Sequence, residues 1–386
     1  MTADESAAAR VQEIFECNFV RGVEVGASVA VWQHGRQAFC FCQGWRDGER
    51  ELPWTADTMV LVWSATKGLA SACLLHALER AGLDLSTRMA EFWPAFAQNG
   101  KDRLTVGEVV SHRAGLSALT DKTAKITDHE AVIRAIESQA PLWDDRGEHG
   151  YSPRIYGYIA DESVRKLAGI PLGDYWRENF GDPMELNLWI GLPESLHHRA
   201  ALMIAARAGC GDVEDDFSQA MATPGSLTRE AFSTPSGAIS PSAMNSPTLR
   251  SASLPSLGAI GSADSLAKFY AMLSLEGEWA GQKYFSPKAI RWMTTRLAQG
   301  NDKTLRTETA FSAGFMLDPL DSSGRKRRYT FGPELSAFGH PGAGGSLAFA
   351  DPVNHLGFAY VMNQMESGVL PKSRAVALVH ALYNFP

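Results

Sequence analysis

A serine and a lysine three residues apart are the residues best suited to chemistry in this 386-residue sequence. An apolar run at residues 60–63 leads to Ser64, and apolar residues then recur at helical spacing over residues 69–78. Ser64 is therefore predicted to begin a buried helix, with Lys67 projecting from the same helix face. A partly desolvated lysine can be neutral and remove the serine proton, so this spacing predicts a Ser-x-x-Lys nucleophile.

Three further Ser-x-x-Lys matches, which begin at Ser163, Ser265 and Ser323, lack this context. Ser163 and Ser265 fall inside amphipathic helical patterns with polar neighbours, and Ser323 belongs to the loop SSGRKRR. A solvated lysine near a serine accounts for all three. For Ser64 the competing interpretation is a helix N-cap with no further role.

The composition is that of an ordinary globular protein and argues against several functional classes. Hydrophobic residues make up 45% of the chain and charged residues 20%. The formal net charge of -7 gives no support for binding nucleic acid or an anionic membrane. The one basic cluster, residues 325–328, is short, and we expect it at a solvated hairpin tip. We therefore expect a small-molecule substrate and neither a nucleic-acid nor a membrane partner.

Cysteine usage and the N-terminal sequence indicate a reducing compartment. The cysteines lack the paired spacing of a disulfide framework or a zinc site, so we expect small buried hydrophobes. They are Cys17, Cys40, Cys42, Cys73 and Cys210. The sequence begins acidic, without the positive flank and apolar core of a signal peptide. No apolar run approaches membrane-spanning length, and we expect a cytoplasmic protein.

The elements that must position Ser64 and Lys67 follow from hydrophobic periodicity. A first helix is predicted over residues 7–19, and two strands of a hairpin over residues 25–32 and 37–45. Further helices are predicted near residues 104–110, 128–138, 155–168, 196–208, 262–275, 286–297 and 373–383. Later strands are predicted at residues 311–317, 346–350 and 356–362.

Strands at both ends of the chain, with helices between them, predict an α+β fold. The terminal strands would form one mostly antiparallel sheet, flanked by the first and last helices, with an all-helical domain inserted. We assign residues 1–83 and 255–386 to the sheet domain and residues 84–254 to the helical domain. Residues 218–257 are rich in Ser, Pro, Thr and Gly, which predicts a long irregular segment that wraps an active-site edge.

A Ser-Lys nucleophile also needs a proton shuttle and donors for the oxyanion, and two stretches could provide them. Tyr151 follows a polar loop at residues 144–149 and precedes a predicted helix. The stretch GHPGAGGS, residues 339–346, leads straight into a strand, and its glycines allow a backbone to approach a ligand closely. Taken alone, the tyrosine could be a packing residue and the glycine run only a turn.

Four stretches in order resemble the serine hydrolases that share a fold with class C β-lactamases and penicillin-binding DD-peptidases. They are Ser64-Ala65-Thr66-Lys67, Tyr151-Ser152-Pro153, His340-Pro341-Gly342 and residues 104–116, LTVGEVVSHRAGL. Within that family the sequence is most similar to family VIII carboxylesterases. Order and spacing agree from about residue 26 to residue 358, which is nearly the whole chain.

The resemblance implies a role for each matching residue. Ser64 would be the acylated nucleophile, Lys67 its activating partner, and Tyr151 the general base and acid. The backbone N–H groups of Ser64 and Ala343 would form the oxyanion hole. The residues implied beside the substrate are Ser152, His340 and Gly342.

Two departures from the lactamase pattern favour an esterase. Pro153 stands where the lactamases have an asparagine, and His340-Pro341-Gly342 stands where they have Lys-Thr-Gly. Family VIII esterases tolerate such changes, so the resemblance implies a serine hydrolase that cleaves short-chain carboxylic esters through an acyl-enzyme. A β-lactamase or D-amino-acid peptidase of the same fold is the alternative. From another class, a non-catalytic binding module that kept the fold is also conceivable.

No cofactor or metal is expected from the sequence. His112, His129 and the pair His197-His198 lack ligand spacing. The glycine run is not a dinucleotide fingerprint, because Leu347 stands where the third glycine is needed. The sequence also has no Gly-x-Ser-x-Gly elbow of an α/β-hydrolase.

Overall fold

A computed structural model describes residues 3–207, 215–237 and 240–385, and Cys210 lies outside these ranges. The helices are α1 (Ala3–Val20), α2 (Thr66–Arg80), α3 (Met89–Phe92), α4 (Val106–Val110), α5 (His129–Ser138), α6 (Ile155–Ala168), α7 (Leu172–Trp176), α8 (Asp216–Ala222), α9 (Leu227–Ser233), α10 (Pro241–Met244), α11 (Pro247–Ser251), α12 (Ala263–Ser274), α13 (Pro287–Thr294) and α14 (Ser373–Tyr383). The strands are β1 (Gly26–Gln33), β2 (Arg36–Gly44), β3 (Val60–Leu61), β4 (Leu188–Ile190), β5 (Ala259–Gly261), β6 (Glu278–Trp279), β7 (Gln282–Lys283), β8 (Ala298–Asn301), β9 (Glu308–Phe311), β10 (Met316–Leu317), β11 (Phe338–Pro341), β12 (Leu347–Asp351) and β13 (Leu356–Met362). Shorter helical turns lie at Trp63–Ala65, Pro94–Ala97, Arg177–Gly181, Glu194–Arg199 and Ala343–Gly345.

The main sheet has eight strands in the order β2-β1-β13-β12-β11-β10-β9-β8. Every pairing in it is antiparallel. The early strand β1 lies beside the late strand β13, with Ala30 opposite Ala359, so the two ends of the chain meet in one sheet. This arrangement confirms the predicted α+β fold with an antiparallel sheet built from the terminal strands.

Alternation along β13 divides the core between the two faces of the sheet, because successive side chains of a strand point to opposite faces. Phe358 and Tyr360 pack in one cluster with Phe15 of α1 and with residues of α14. Ala359 and Val361 belong to a second cluster, which includes residues of α2 and α12. Both faces are therefore covered by helices, and α2, which carries Lys67, lies in the core of the second face.

Residues 84–254 are mainly helical, and one strand links them to the rest of the chain. β4 lies within this region but pairs with β5, and β5 also pairs with β3. The small sheet β3-β5-β4 thus ties the helical region to the strand that leads to Ser64. The assignment of residues 84–254 to a separate domain stays a prediction.

The helix predicted over residues 196–208 is wrong. The chain forms a short turn at Glu194–Arg199 and then runs without helix to residue 207, and residue 208 lies outside the described ranges. Its backbone bonds to distant segments: the Ala201 N–H donates to the Met59 carbonyl, and the Ile204 N–H donates to the Asn363 carbonyl. These tertiary hydrogen bonds override the local helical pattern.

Residues 218–257 are less irregular than predicted. Helices α8 to α11 lie in this segment or at its edge, and each begins at an Asp or Ser whose side chain accepts a backbone N–H. Ser240-Pro241 and Ser246-Pro247 carry the N-cap and first-turn proline signal that also begins α13 at Ser286-Pro287. The helical signal was therefore present in the sequence, although the high Ser and Pro content obscured it.

Two further predictions, of a strand and of a solvated basic cluster, also need correction. The strand predicted over residues 311–317 is a hairpin, in which β9 ends and β10 begins on either side of Gly314, whose φ is 79°. The basic cluster at residues 325–328 is not wholly solvated. The side chain of Lys326 is 2% exposed, and its Nζ lies 3.1 Å from the buried carboxylate of Asp318. An unpaired buried carboxylate would be costly, so the lysine turns inward.

The cysteines in the described ranges are free and differ in exposure. Cys73 is buried as predicted, whereas Cys17 is exposed and Cys40 and Cys42 are half-buried. None of the helices in these ranges combines the length and apolar character needed to cross a membrane.

Candidate active site

Ser64 lies in a tight turn that connects β3 to α2. The Val62 N–H donates to the Ala259 carbonyl at 2.9 Å, and Trp63 adopts a left-handed φ of 49°. The Thr66 hydroxyl donates to the Trp63 carbonyl at 2.5 Å and closes the turn. The N-cap residues of the turn Trp63–Ala65 and of α2 are Val62 and Ala65, so the interpretation of Ser64 as an N-cap is wrong. Its hydroxyl is instead part of a cavity wall.

The amine of Lys67 is buried directly beside Ser64. The Lys67 Nζ lies 3.4 Å from the Ser64 Oγ, and it donates to the backbone carbonyls of Pro153 and Ser256, both at 2.8 Å. The side chain is fully buried, and this burial holds the pKa of Lys67 well below its ordinary value of 10.5. Burial thus favours the neutral amine over the ammonium form.

A neutral amine fits these contacts well. It has two N–H groups and one lone pair, and the two carbonyl groups take both N–H groups. The lone pair is then left for the Ser64 hydroxyl. Lys67 can therefore accept the serine proton, which is the task of the base in a Ser-x-x-Lys pair.

Tyr151 joins this pair from a separate part of the chain. The Lys67 Nζ lies 4.9 Å from the centroid of the Tyr151 ring, and the Tyr151 hydroxyl hydrogen-bonds with Ser64. Burial raises the pKa of Tyr151 above its ordinary value of 10, and the bond with Ser64 offsets this only in part. Tyr151 therefore stays protonated at neutral pH, which suits a proton donor better than a general base. Ser64, Lys67 and Tyr151, predicted from two separate motifs, meet at one point.

Two buried residues that the sequence analysis gave no role hold the Tyr151 loop. The carboxylate of Asp302 accepts the N–H of Tyr151 at 3.0 Å and that of Thr304 at 2.8 Å. His112 accepts the Ser152 N–H on its Nδ1 at 3.2 Å, and its ring packs 5.1 Å from the Tyr151 ring. Asp302 is 151 residues away from Tyr151 along the chain and carries no local signal. His112 lies within residues 104–116, one of the four stretches that carry the family resemblance, and this was the available sequence signal for its role.

A second buried network anchors α2 beneath the site. The Ser71 Oγ lies 2.6 Å from the Lys67 carbonyl oxygen, 2.8 Å from that of Gly314 and 2.7 Å from the Tyr156 hydroxyl. A Cβ on Gly314 would come within 2.2 Å of the Ser71 Oγ, so only glycine permits this contact. The network joins the helix of the nucleophile to α6 and to the hairpin of β9 and β10.

His340 on β11 presents a neutral ring near Tyr151. The two ring centroids are 5.9 Å apart, and His340 is 1% exposed. Burial, together with the nearby Lys67, lowers the pKa of His340 to about 3. Its Nδ1 donates to the Pro341 carbonyl at 2.7 Å, and its Nε2 has no partner among the described residues. The strand position that carries a lysine in the resembled lactamases therefore carries no positive charge here.

The turn Ala343–Gly345 follows β11 and passes close to the Ser64 turn. A Cβ on Gly342 would lie 2.2 Å from the Val62 carbonyl oxygen, so a glycine is needed for this approach. The Gly342 N–H donates to the Ser346 carbonyl at 2.7 Å and is thereby occupied. The Ala343 N–H has no backbone acceptor within the described ranges. Its role in an oxyanion hole stays a prediction that this geometry favours.

A cavity of about 460 Å³ lies in front of these groups, and Ser64, Tyr151, His340 and Ala343 line it. Much of the remaining wall is apolar and includes Phe217, Met221, Phe232, Leu257, Met365 and Leu370. The segment that was predicted to wrap an active-site edge thus contributes Phe232 to this wall. This apolar part of the wall favours contact with the hydrocarbon parts of a substrate.

Three predicted site residues do not line the cavity. Lys67 lies behind Ser64, as its role requires, and Gly342 acts through close backbone packing. Ser152 is buried, and its hydroxyl has no partner in the part of the chain that the structure describes. The predicted contact between Ser152 and the substrate therefore remains without geometric support. The same ranges contain no group of three or more His, Cys, Asp or Glu residues arranged to hold a metal.

A serine at the start of a buried helix, a lysine one turn later and an eight-stranded antiparallel sheet define the class of serine hydrolases with the β-lactamase fold. The chain belongs to the beta-lactamase family, whose profile matches residues 11–382. The resemblance drawn from four short stretches is confirmed over nearly the whole chain.

Individual relatives include esterases and a penicillin-binding protein homologue. Esterase/beta-lactamase LipL of Mycobacterium tuberculosis (strain ATCC 25618 / H37Rv) is 26% identical over 376 residues, which cover 92% of this chain and 82% of LipL. The crystal structure of a family VIII carboxylesterase is 30% identical, with a TM-score of 0.86 over 98% of this chain and 97% of that one. A novel penicillin-binding protein homologue from Caulobacter crescentus is 33% identical, with a TM-score of 0.86 over 98% of both chains.

Gly342→Ala should impair catalysis more than stability. The new Cβ must push the end of β11 away from the Val62 carbonyl, which moves the Ala343 N–H out of place. We expect kcat to fall by about 10²–10³, as for loss of an oxyanion donor, and the free energy of unfolding to fall by about 1–3 kcal/mol. Ester turnover and thermal unfolding would measure the two effects.

Gly48→Ala is the matched control for this substitution. A Cβ on Gly48 meets only the Ile204 side chain, at 3.8 Å, so activity and stability should both be kept. A Gly342→Ala variant with normal kcat would show that the close approach of β11 to the serine turn does not matter for catalysis.

Proposed function

We propose that this protein hydrolyses short-chain carboxylic esters through an acyl-enzyme on Ser64. The observation that carries the proposal is the setting of Lys67, whose buried Nζ donates to two backbone carbonyls and lies 3.4 Å from the Ser64 Oγ. A lysine held in this way satisfies the Pro153 and Ser256 carbonyls and still lies beside the Ser64 hydroxyl. It is well suited to remove the proton of a nucleophile.

In the first half-reaction the Ser64 Oγ attacks the ester carbonyl carbon while Lys67 takes the hydroxyl proton. The N–H groups of Ser64 and Ala343 stabilise the oxyanion of the tetrahedral intermediate. The C–O bond to the alcohol then breaks, and Tyr151 gives its proton to the leaving alkoxide. The Lys67 ammonium returns a proton to Tyr151, so both groups regain their starting states.

In the second half-reaction water replaces the alcohol. Tyr151 takes a proton from the attacking water while it passes its own proton to Lys67, and a second tetrahedral intermediate forms at the same donors. Its collapse breaks the bond to the Ser64 Oγ, which recovers its proton from Lys67, and the carboxylic acid is released. No cofactor is required for either step.

Two features support esters over β-lactams as substrates. A β-lactam antibiotic carries a carboxylate, and lactamases of this fold place a lysine and a hydroxyl residue on the strand beside it. Here that strand holds His340, whose pKa is lowered to about 3, and Pro341, which has no side-chain donor. The charge-assisted hydrogen bonds to such a carboxylate are therefore missing. Esters are also attacked more readily than amides and need fewer donors.

We expect kcat/KM for p-nitrophenyl butyrate to exceed that for a chromogenic cephalosporin by about 10–100-fold. The expected margin follows from the loss of one charge-assisted hydrogen bond, about 1.5–3 kcal/mol. A spectrophotometric assay of both substrates would measure it, with Ser64→Ala as the blank for background hydrolysis.

The same assay, extended to a D-amino-acid amide and to labelling with a serine-directed phosphonate, distinguishes the alternatives. If the cephalosporin were the better substrate, the β-lactamase alternative would replace the esterase proposal. If a D-amino-acid amide were preferred to both, the peptidase alternative would hold. A protein that fails to react with a serine-directed phosphonate would be the non-catalytic binding module.

A further inference from the structure

Arg154 is a buried cation on the wall of the cavity that contains Ser64. It directly follows the Tyr151-Ser152-Pro153 motif and is 7% exposed. One Nη1 N–H donates to the Pro235 carbonyl at 2.6 Å. A guanidinium has five N–H donors, and the other four have no acceptor within the described residues.

No carboxylate in the described ranges compensates the charge of Arg154. Burial lowers the pKa of Arg154 to about 10. The titratable neighbour that opposes this shift is Tyr158, and burial raises the pKa of Tyr158, so its hydroxyl is neutral at physiological pH. Arg154 therefore remains a cation. A buried charge without a counterion is costly, and proteins usually pair such groups.

Other buried cations of this protein have either a carboxylate partner or several backbone carbonyls; Arg250, for example, donates to the carbonyls of His197 and Ala201. Arg374 lies 2.8 Å from the carboxylate of Glu24, and Lys326 lies 3.1 Å from that of Asp318. The acidic residue on the cavity wall, Glu366, is 3.5 Å from Arg374 and so already has a cationic partner. Arg154 differs because it faces a cavity, and a ligand bound in that cavity could supply the anion.

The backbone of Arg154 is fixed next to the catalytic group. The Pro153 carbonyl accepts a hydrogen bond from Lys67, and the Arg154 carbonyl accepts one from the Ser256 hydroxyl at 2.5 Å. From there the long side chain reaches the Pro235 carbonyl. A group bound by Arg154 would thus belong to the same substrate as the scissile bond but lie several atoms from it.

We propose that Arg154 binds a carboxylate of the substrate, so that the preferred esters are short-chain monoesters of dicarboxylic acids. This inference rests on the proposed esterase function and specifies its substrate class. A guanidinium can bind a carboxylate through two parallel hydrogen bonds, and a dry apolar surrounding strengthens them. An open acyl chain lets the carboxylate reach Arg154, whereas a cephalosporin holds its carboxylate rigidly beside the scissile ring.

A matched pair of substrates tests this proposal. Monoethyl adipate and ethyl hexanoate have acyl chains of equal length, and only the first ends in a carboxylate. We expect the wild-type protein to favour monoethyl adipate by at least about tenfold in kcat/KM. In Arg154→Met, kcat/KM for monoethyl adipate should fall by about 10–100-fold, mainly through KM, because charge-assisted hydrogen bonds are lost. Release of ethanol measures both reactions.

Two controls separate recognition from packing. Arg154→Met should hydrolyse ethyl hexanoate within about threefold of wild type, and Arg154→Lys should recover part of the preference for the charged ester. Arg103→Met removes an arginine whose side chain is 88% exposed and should change neither substrate. Equal losses for both esters in Arg154→Met would overturn the proposal, since they would indicate a packing role.

The proposal and the esterase function can fail separately. A wild-type protein that hydrolyses ethyl hexanoate at least as well as monoethyl adipate would refute carboxylate binding while leaving the esterase function in place. A wild-type protein that hydrolyses neither ester, in a sample folded by circular dichroism, would refute the esterase function itself.

Discussion

Ser64→Ala should abolish ester hydrolysis and leave the fold intact. Without the hydroxyl no acyl-enzyme can form, and loss of the nucleophile in comparable serine hydrolases lowers kcat by about 10⁶. Stability should change by only about 0.5 kcal/mol, because Ser64 is the N-cap residue of neither helical element. Turnover of p-nitrophenyl butyrate and thermal unfolding followed by circular dichroism would measure the two quantities.

The other Ser-x-x-Lys matches provide internal controls for this experiment. The Ser323 hydroxyl lies in an exposed turn and donates to the Asp321 carboxylate, so Ser323→Ala should keep full activity. The Ser163 hydroxyl is buried and donates to the Ile159 carbonyl one turn earlier, out of reach of any substrate. Mass spectrometry after reaction with a serine-directed phosphonate should place the adduct on Ser64. An adduct on Ser163, Ser265 or Ser346 would disprove the assignment of the nucleophile.

Helices with clear end signals were predicted well from the sequence. Asp128 caps α5 by accepting the Ala131 N–H, and Thr105 forms a capping box with Glu108 at the start of α4. α6 matches its predicted range and ends at Gly169 with a left-handed φ of 80°. Such signals are local, since the residues that satisfy the first and last backbone groups lie within a few positions of each other. Local sequence is therefore enough to find them.

Elements and contacts that depend on distant partners were missed. The extended chain after residue 199 is held by segments far away in sequence, such as the one around Asn363. The carbonyls that accept from Lys67 lie 86 and 189 residues from it. Asp302 likewise acts on Tyr151 only because the fold brings β8 next to that loop. No local sequence pattern indicates these long-range contacts, although the contacts influence the protonation of Lys67 and the position of Tyr151.

Ser64, Lys67 and Tyr151 could be selected from the sequence because each belongs to a short motif with its own chemistry. Ser64 and Lys67 share one helix face, and Tyr151 lies in a second motif. Ser152 was drawn from the same second motif and yet does not reach the cavity. Motif membership thus identified a loop that reaches the cavity, whereas the direction of each side chain depends on packing by groups such as His112.

Lys67 and Tyr151 should behave as one proton-transfer unit in a double-mutant cycle. Each group lies within reach of the Ser64 hydroxyl, and the Lys67 Nζ is 4.9 Å from the Tyr151 ring. We expect Lys67→Ala and Tyr151→Phe each to lower kcat by about 10²–10⁴, the usual contribution of a general acid or base. The double variant should lose little more than the worse single variant, because groups that act in one step are not additive.

Lys67→Arg distinguishes a proton acceptor from a fixed positive charge. Arginine keeps N–H donors for the Pro153 and Ser256 carbonyls but cannot become neutral, so it has no lone pair for the serine proton. If Lys67 acts as the base, Lys67→Arg should be as inactive as Lys67→Ala even where it folds and binds substrate. Burst kinetics with p-nitrophenyl butyrate would show that acylation is the step affected. Substantial activity in Lys67→Arg would mean that the lysine acts through its charge and that Tyr151 removes the serine proton alone. Losses that multiply independently in the double variant would contradict a single proton-transfer unit.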